Sequence, residues 1–241
     1  MANVLTATNF KIESISFGKH KPNPNSGYNI DLTIGDTTDE IVIQTPKMRA
    51  PFGISTDKTN PFKKSLDVSF QGIEANPSIK AIRDLVESVD NLMIDYACKN
   101  SKTFFKKELD RNIISAYYYS NIKPSKKEQY SDTFKTKLIF LKPNPDKNNP
   151  DGKYLTSFWS TKGEELGYSD LERGDYVKCL IKPTMLWVSA KSFGTTWTCT
   201  QVCVYKQQNV KGCLFKKTGD SDDEAEIEVE EDEYDEVEVD A

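Results

Sequence analysis

Residues 175–206, DYVKCLIKPTMLWVSAKSFGTTWTCTQVCVYK, constrain the fold more than any other stretch. Apolar and polar side chains alternate through them with a period of two, the mark of strands with one buried face. The spacing predicts three strands with short joins. In the first, Val177, Cys179 and Ile181 face one way, and Tyr176, Lys178 and Lys182 the other. In the second, Leu186, Val188 and Ala190 oppose Trp187, Ser189 and Lys191. Phe193 and Gly194 read as the turn into a third strand, residues 196–205, whose facing is ambiguous because Trp197 and Val202 fall on opposite sides. Strands with one apolar face, and a ring beside lysines on the other, suit a small barrel whose outer surface holds a strand of nucleic acid.

Alternation also predicts strands over residues 10–17, 28–34, 40–44, 65–73, 134–141 and 154–159. The second and third are expected to form a hairpin. The segment GKHKPNPNSG (18–27) reads as a loop, as does PNPDKNNPDGK (143–153). Two prolines and a glycine bar a regular element from TPKMRAPFGIS (45–55), where Lys47, Arg49 and Phe52 sit together. A short helical turn is expected at 169–172. Residues 76–98 predict the one long helix. Asn76 caps it, Pro77 suits its first turn, and a stripe from Ile79 to Tyr96 at spacings of three and four must be buried.

Residues 99–137 change character. Lys99, Lys102, Lys106, Lys107, Arg111, Lys123, Lys126, Lys127, Lys135 and Lys137 interleave with Phe104, Phe105, Tyr117, Tyr118, Tyr119, Tyr130 and Phe134. Cations follow the phosphates of a single strand while rings stack on its unpaired bases.

The formal charge of −5 hides a reversal of sign along the chain. The run 220–241, DSDDEAEIEVEEDEYDEVEVDA, contains acids and no Lys or Arg; the remainder holds 32 basic against 23 acidic residues, a net of +9. Like charges repel and few apolar side chains offset the entropy of ordering, so this run is expected to be a disordered polyanion. Five cysteines without a CxxC pair, and one histidine, His20, argue against structural zinc and for reduced thiols. Cys199 and Cys203 are expected on one side of a strand. No P-loop, GxSxG or carboxylate cluster is present, so no enzyme activity and no cofactor are expected. No apolar run approaches the ~20 residues of a membrane helix, and an intracellular protein is expected.

The closing stretch, the order SLDVSFQGI then long helix, and the terminal acidic run together resemble the single-stranded DNA-binding proteins of large eukaryotic DNA viruses (the poxvirus, asfarvirus and algal-virus group). They are also similar in plan to phage proteins of this class. The resemblance implies a mainly β fold with one long helix (α+β): an OB-fold-like domain over 1–219, with a basic and aromatic insertion at about 99–137, followed by the disordered acidic tail. It implies little sequence preference, a role in viral DNA replication, repair or recombination at replication sites in host cytoplasm or nucleus, and a tail that competes for the groove and recruits replication proteins. Tyr176, Lys178, Lys182, Trp187 and Lys191 would line the groove. Lys47, Arg49, Phe52, Lys102, Lys106, Lys107, Arg111, Tyr117, Tyr119, Lys135, Lys137 and Trp197 complete the candidate contacts. The alternative is an acidic-tailed histone chaperone whose tail binds basic proteins. A homodimer stays open.

Overall fold

The computed structural model describes residues 2–23, 27–35, 40–144 and 152–206. The strands are β1 (Asn3–Thr6), β2 (Ile15–Asn23), β3 (Gly27–Ile34), β4 (Ile41–Gln44), β5 (Met48–Arg49), β6 (Ile54–Thr56) and β7 (Lys64–Ser69). Three helices follow, α1 (Pro77–Lys99), α2 (Ser101–Phe105) and α3 (Arg111–Tyr117). Then come β8 (Tyr118–Tyr119), β9 (Ile122–Lys123), β10 (Thr133–Leu138), β11 (Phe140–Leu141), β12 (Lys153–Tyr154), β13 (Ser157–Ser160), β14 (Glu165–Leu166), β15 (Tyr176–Val188) and β16 (Phe193–Tyr205).

The two longest strands, β15 and β16, pair antiparallel and form the spine. The free edge of β15 takes β5, β4 and β3 in turn, and that of β16 takes β13, β10 and β8. The pairings close on themselves: β15 with β5, β5 with β7, β7 with β10, β10 with β16, and β16 with β15. This sheet-rich, barrel-like body encloses Met48, Leu66, Val68, Phe134, Leu138, Val177, Ile181 and Trp197.

Helix α1 begins where expected, with the Asn76 side chain accepting from the Ser78 amide at 3.0 Å. Its stripe packs into the core through Ile79, Ile82, Val86, Val89 and Met93. A buried carboxylate fixes its middle. Asp90 accepts from the Ser120 hydroxyl at 2.6 Å and from the Tyr118 hydroxyl, and Tyr118 also shares a 2.9 Å hydrogen bond with Thr195 of β16.

Several expectations are corrected. The closing stretch is two strands, because β15 runs through Pro183. A proline lacks the ladder N–H, but here the register is already irregular between Pro183 and Met185, so no regular pair is lost. Ala190 is exposed rather than inward, since residues 189–192 form the turn, and Phe193–Gly194 belongs to β16. A second irregularity pairs Leu180 with Gln201 but Ile181 with Cys199, which puts Cys199 inside and Cys203 opposite Lys178. The strands 28–34 and 40–44 form no hairpin: β3 pairs with β2 and β15, β4 with β1 and β15. Strand β2 extends into the expected loop 18–27, and residues 45–55 hold β5 and the start of β6. The strand at 154–159 is split into β12 and β13, and the first of the series, 10–17, is a 3₁₀ turn leading into β2. Most of the loop expected at 143–153, and the whole acidic run, lie outside the described residues. Among the described residues no helix is long and apolar enough to cross a membrane.

Candidate nucleic-acid interface

Alternation along β5, β7 and β10 sends Met48, Leu66, Val68, Phe134, Thr136 and Leu138 inward, and Arg49, Asp67, Lys135 and Lys137 outward. Register places Arg49 opposite Ser69, Asp67 opposite Lys135, and Ser65 opposite Lys137. Above these strands lies an open cavity of about 790 Å³. Its walls carry four cations (Arg49, Lys123, Lys126 and Arg173), two rings (Phe52 and Tyr130) and one acid, Asp67. The rings are 50% and 61% exposed, so their faces are open to a ligand.

The loops hold these groups by backbone contacts. Arg173 Nε donates to the carbonyl of Pro51 at 3.1 Å, which ties the Arg173 turn to the Phe52 turn. Gly174 has φ +92°, and a Cβ there would sit 3.5 Å from the Arg49 guanidinium. That distance is an ordinary contact, so it is the left-handed backbone conformation that favours glycine here. Lys123 Nζ donates to the Ser120 carbonyl at 2.8 Å.

Lys123 also links the cavity to a second patch. Its ammonium lies 3.3 Å from the ring centroid of Tyr119, which is 57% exposed, and holds that hydroxyl below the usual phenol range. Tyr119 and Trp187 lean over Gly194, their centroids 6.4 Å apart. Gly194 is opposite Trp187 on one side and Tyr119 on the other. A Cβ at Gly194 would come within 2.8 Å of Trp187 Cζ2 and 2.7 Å of the Tyr119 carbonyl, so only glycine lets the tryptophan lie flat on β16. Further along the same face Thr198 separates Lys182 from Lys137.

The structure thus brings together Arg49, Phe52, Tyr119, Lys135, Lys137, Lys182 and Trp187 from the candidate set, with Lys182 ion-paired to Glu40. Tyr176 joins this face as well, directly opposite Arg49 in register. Beside it Lys47 and Lys178 gather round Tyr176 and Tyr205: Lys47 Nζ is 5.1 Å from the Tyr176 centroid and 4.9 Å from that of Tyr205, and Lys178 Nζ is 5.9 Å from the latter. Others lie elsewhere. Lys47 and Lys178 line a separate cavity of about 440 Å³ beside Asn76 and Ser78. Lys102, Lys106, Lys107 and Arg111 are on or beside α2 and α3 and line neither cavity. Lys102 pairs with Glu108 at 2.9 Å, and Arg111 with Asp95. Tyr117 is half-buried against Phe105, 5.6 Å between centroids. Lys191 stands in the exposed turn before β16. Trp197 is corrected outright: it is 1% exposed, edge-on to Phe134 at 5.4 Å, and its ring has no face for a base.

Lys123, Lys126 and Tyr130 were legible only as composition of the basic segment, and Arg173 carried no signal beyond its turn sequence LERGD. Among the described residues no group of His, Cys, Asp and Glu could hold a metal ion.

No curated protein matches the sequence. Among solved structures the chain is similar to gp2.5, a single-stranded DNA binding protein encoded by bacteriophage T7, at 14% identity over 73% of this chain and 97% of that one, with a TM-score of 0.43. It is similar to the single-stranded DNA-binding protein from bacteriophage Enc34 at 14% identity over 86% and 99%, with a TM-score of 0.42. The same phage protein in complex with ssDNA aligns at 15% identity over 83% and 99%, with a TM-score of 0.37. Residues 66–213, more than half of the chain, match the model described as "Family of unknown function (DUF5871)", and the protein belongs to that family.

Proposed function

We propose that the barrel-like body binds single-stranded DNA along the face running from Phe52 and Tyr130, past Arg49, Lys123 and Lys135, to Tyr119 and Trp187. The observation that carries this reading is the cavity walled by four cations and two exposed rings, joined through Lys123 to a second pair of rings. Cations at that spacing neutralise phosphates, and the rings offer faces to unpaired bases without demanding a particular one. The closed circuit of strands supports reading the body as an OB-fold, whose outer strand face and loops serve such ligands. Binding is therefore weakly selective along the strand as a whole. The work it serves is DNA replication, repair or recombination of a virus. In the same reading the acidic run 220–241 competes with DNA for the face and, once displaced, is free to recruit replication proteins.

Titration of the full chain with oligo-dT tests this. Arg49, Lys123, Lys126, Lys135 and Arg173 give about five phosphate contacts, so log K should fall against log salt with a slope that reaches about −3.5 once the acidic run is removed and is shallower in the full chain. No binding at low salt rejects the reading and leaves a basic-protein ligand for the acidic run.

A further inference from the structure

Asp67 is out of place in that face. It is the one acid among the residues that line the 790 Å³ cavity, where four cations gather. Its Oδ1 is buried with no hydrogen-bond partner. Lys135 lies directly opposite in register, yet among the described residues no ion pair joins them. A carboxylate serving only the fold would be expected to take that lysine or a nearby hydroxyl, because a buried acceptor left unpaired is costly. Burial pushes the Asp67 carboxyl above its ordinary range, and Lys135 and Lys123 oppose the shift. A group held in that condition gains from a donor brought by a ligand.

We propose that Asp67 is a base-reading subsite that selects guanine within an otherwise unselective strand. The inference rests on the single-stranded DNA reading above. With phosphates on the cations and base faces on Phe52 or Tyr130, a base edge turned to the cavity floor meets Asp67. An ionised carboxylate only accepts hydrogen bonds. Guanine alone among the four unpaired bases offers two adjacent donors, N1–H and N2–H, on its Watson–Crick edge. Adenine and cytosine offer one donor beside an acceptor. Thymine offers one donor between two carbonyl oxygens, which a carboxylate repels. A strand free to slide will settle with a guanine over Asp67.

The test is competition among short oligonucleotides of thymidine carrying a few spaced guanosines, inosines, adenosines or cytidines, against the full chain and Asp67→Asn. For the wild type the guanine strand should bind about tenfold more tightly than thymidine alone, and inosine, which lacks the N2 amine, should lose much of that advantage. Asp67→Asn replaces one acceptor by a donor. It should abolish the guanine advantage and favour adenine or cytosine, by about fivefold. Removing a negative charge strengthens binding of every strand, so the ratios between strands carry the result. Equal binding of all strands by the wild type, or a guanine advantage that survives Asp67→Asn, overturns the subsite and leaves the DNA reading standing. A wild type that binds none of the strands at low salt overturns both.

Discussion

Trp187 and Trp197 are ten residues apart, on the paired strands β15 and β16, and have opposite surroundings. Trp187 lies half-buried over Gly194 beside the exposed Tyr119, whereas Trp197 is enclosed against Phe134. Their substitutions should therefore separate binding from stability. Trp187→Ala should weaken oligo-dT binding by about tenfold, the low end of the roughly 1–3 kcal/mol that one stacked base contributes, with little change in melting temperature. Trp197→Ala should cost about 3–5 kcal/mol of stability as a core cavity. The fluorescence quenched by oligo-dT should disappear in Trp187→Ala. Quenching that persists there would place the base contacts elsewhere. At this scale sequence reading located Trp187 correctly from its alternation with Leu186 and Val188. It could not place Trp197, because the irregularity at Thr200 shifts the phase of β16 and makes its inner and outer positions contradict each other when read as one unbroken strand.

At the scale of elements, α1 was legible throughout, since cap, first-turn proline and apolar stripe agree. The β7 and β10 faces were legible from their period-two alternation. What misled was Pro and Gly read as breakers. Pro183 sits at an existing irregularity and Gly194 under a tryptophan, so neither ends its strand. The tie between α1 and the sheet was not legible at all, because Asp90 meets Tyr118 and Ser120, and Tyr118 in turn meets Thr195, from distant parts of the chain. That tie has a measurable signature. Burial is the main cause raising the Asp90 carboxyl from 3.8 to about 6, against the hydroxyl hydrogen bonds of Ser120 and Tyr118, which lower it. A carboxyl whose folded pKa exceeds its unfolded one binds protons more tightly when folded. Its contribution is full below about pH 4 and is lost as pH rises through 6. Unfolding in urea should show the wild type losing on the order of 1–3 kcal/mol between pH 4 and 7 relative to Asp90→Asn. A difference between the two proteins that does not change with pH would mean that the Asp90 carboxyl titrates alike in the folded and unfolded chain.

Over the whole molecule, the basic segment 99–137 that looked uniform in sequence divides in two. Its helical half pairs Lys102 with Glu108 and Arg111 with Asp95, while its strand half presents Lys123 to the cavity and sets Lys135 opposite Asp67. Composition alone cannot make that division. It depends on which residues the closure of β5, β7, β10, β15 and β16 brings together, and those pairings join residues up to well over a hundred positions apart. The charge reversal, by contrast, needs no fold to be read. A net of +9 before residue 220 and an acidic run without a cation after it carry opposite signs, and the range of any attraction between such charges is set by the Debye length. If that attraction competes with DNA, removing residues 220–241 should tighten oligo-dT binding by about tenfold at low salt, and the gap should close as salt shortens the Debye length to about 3 Å near 1 M. Truncation should also steepen the salt dependence, since cations no longer pre-neutralised by the run then release more counterions from the strand. Unchanged or weaker binding after truncation would assign the acidic run to a partner outside the chain rather than to the groove.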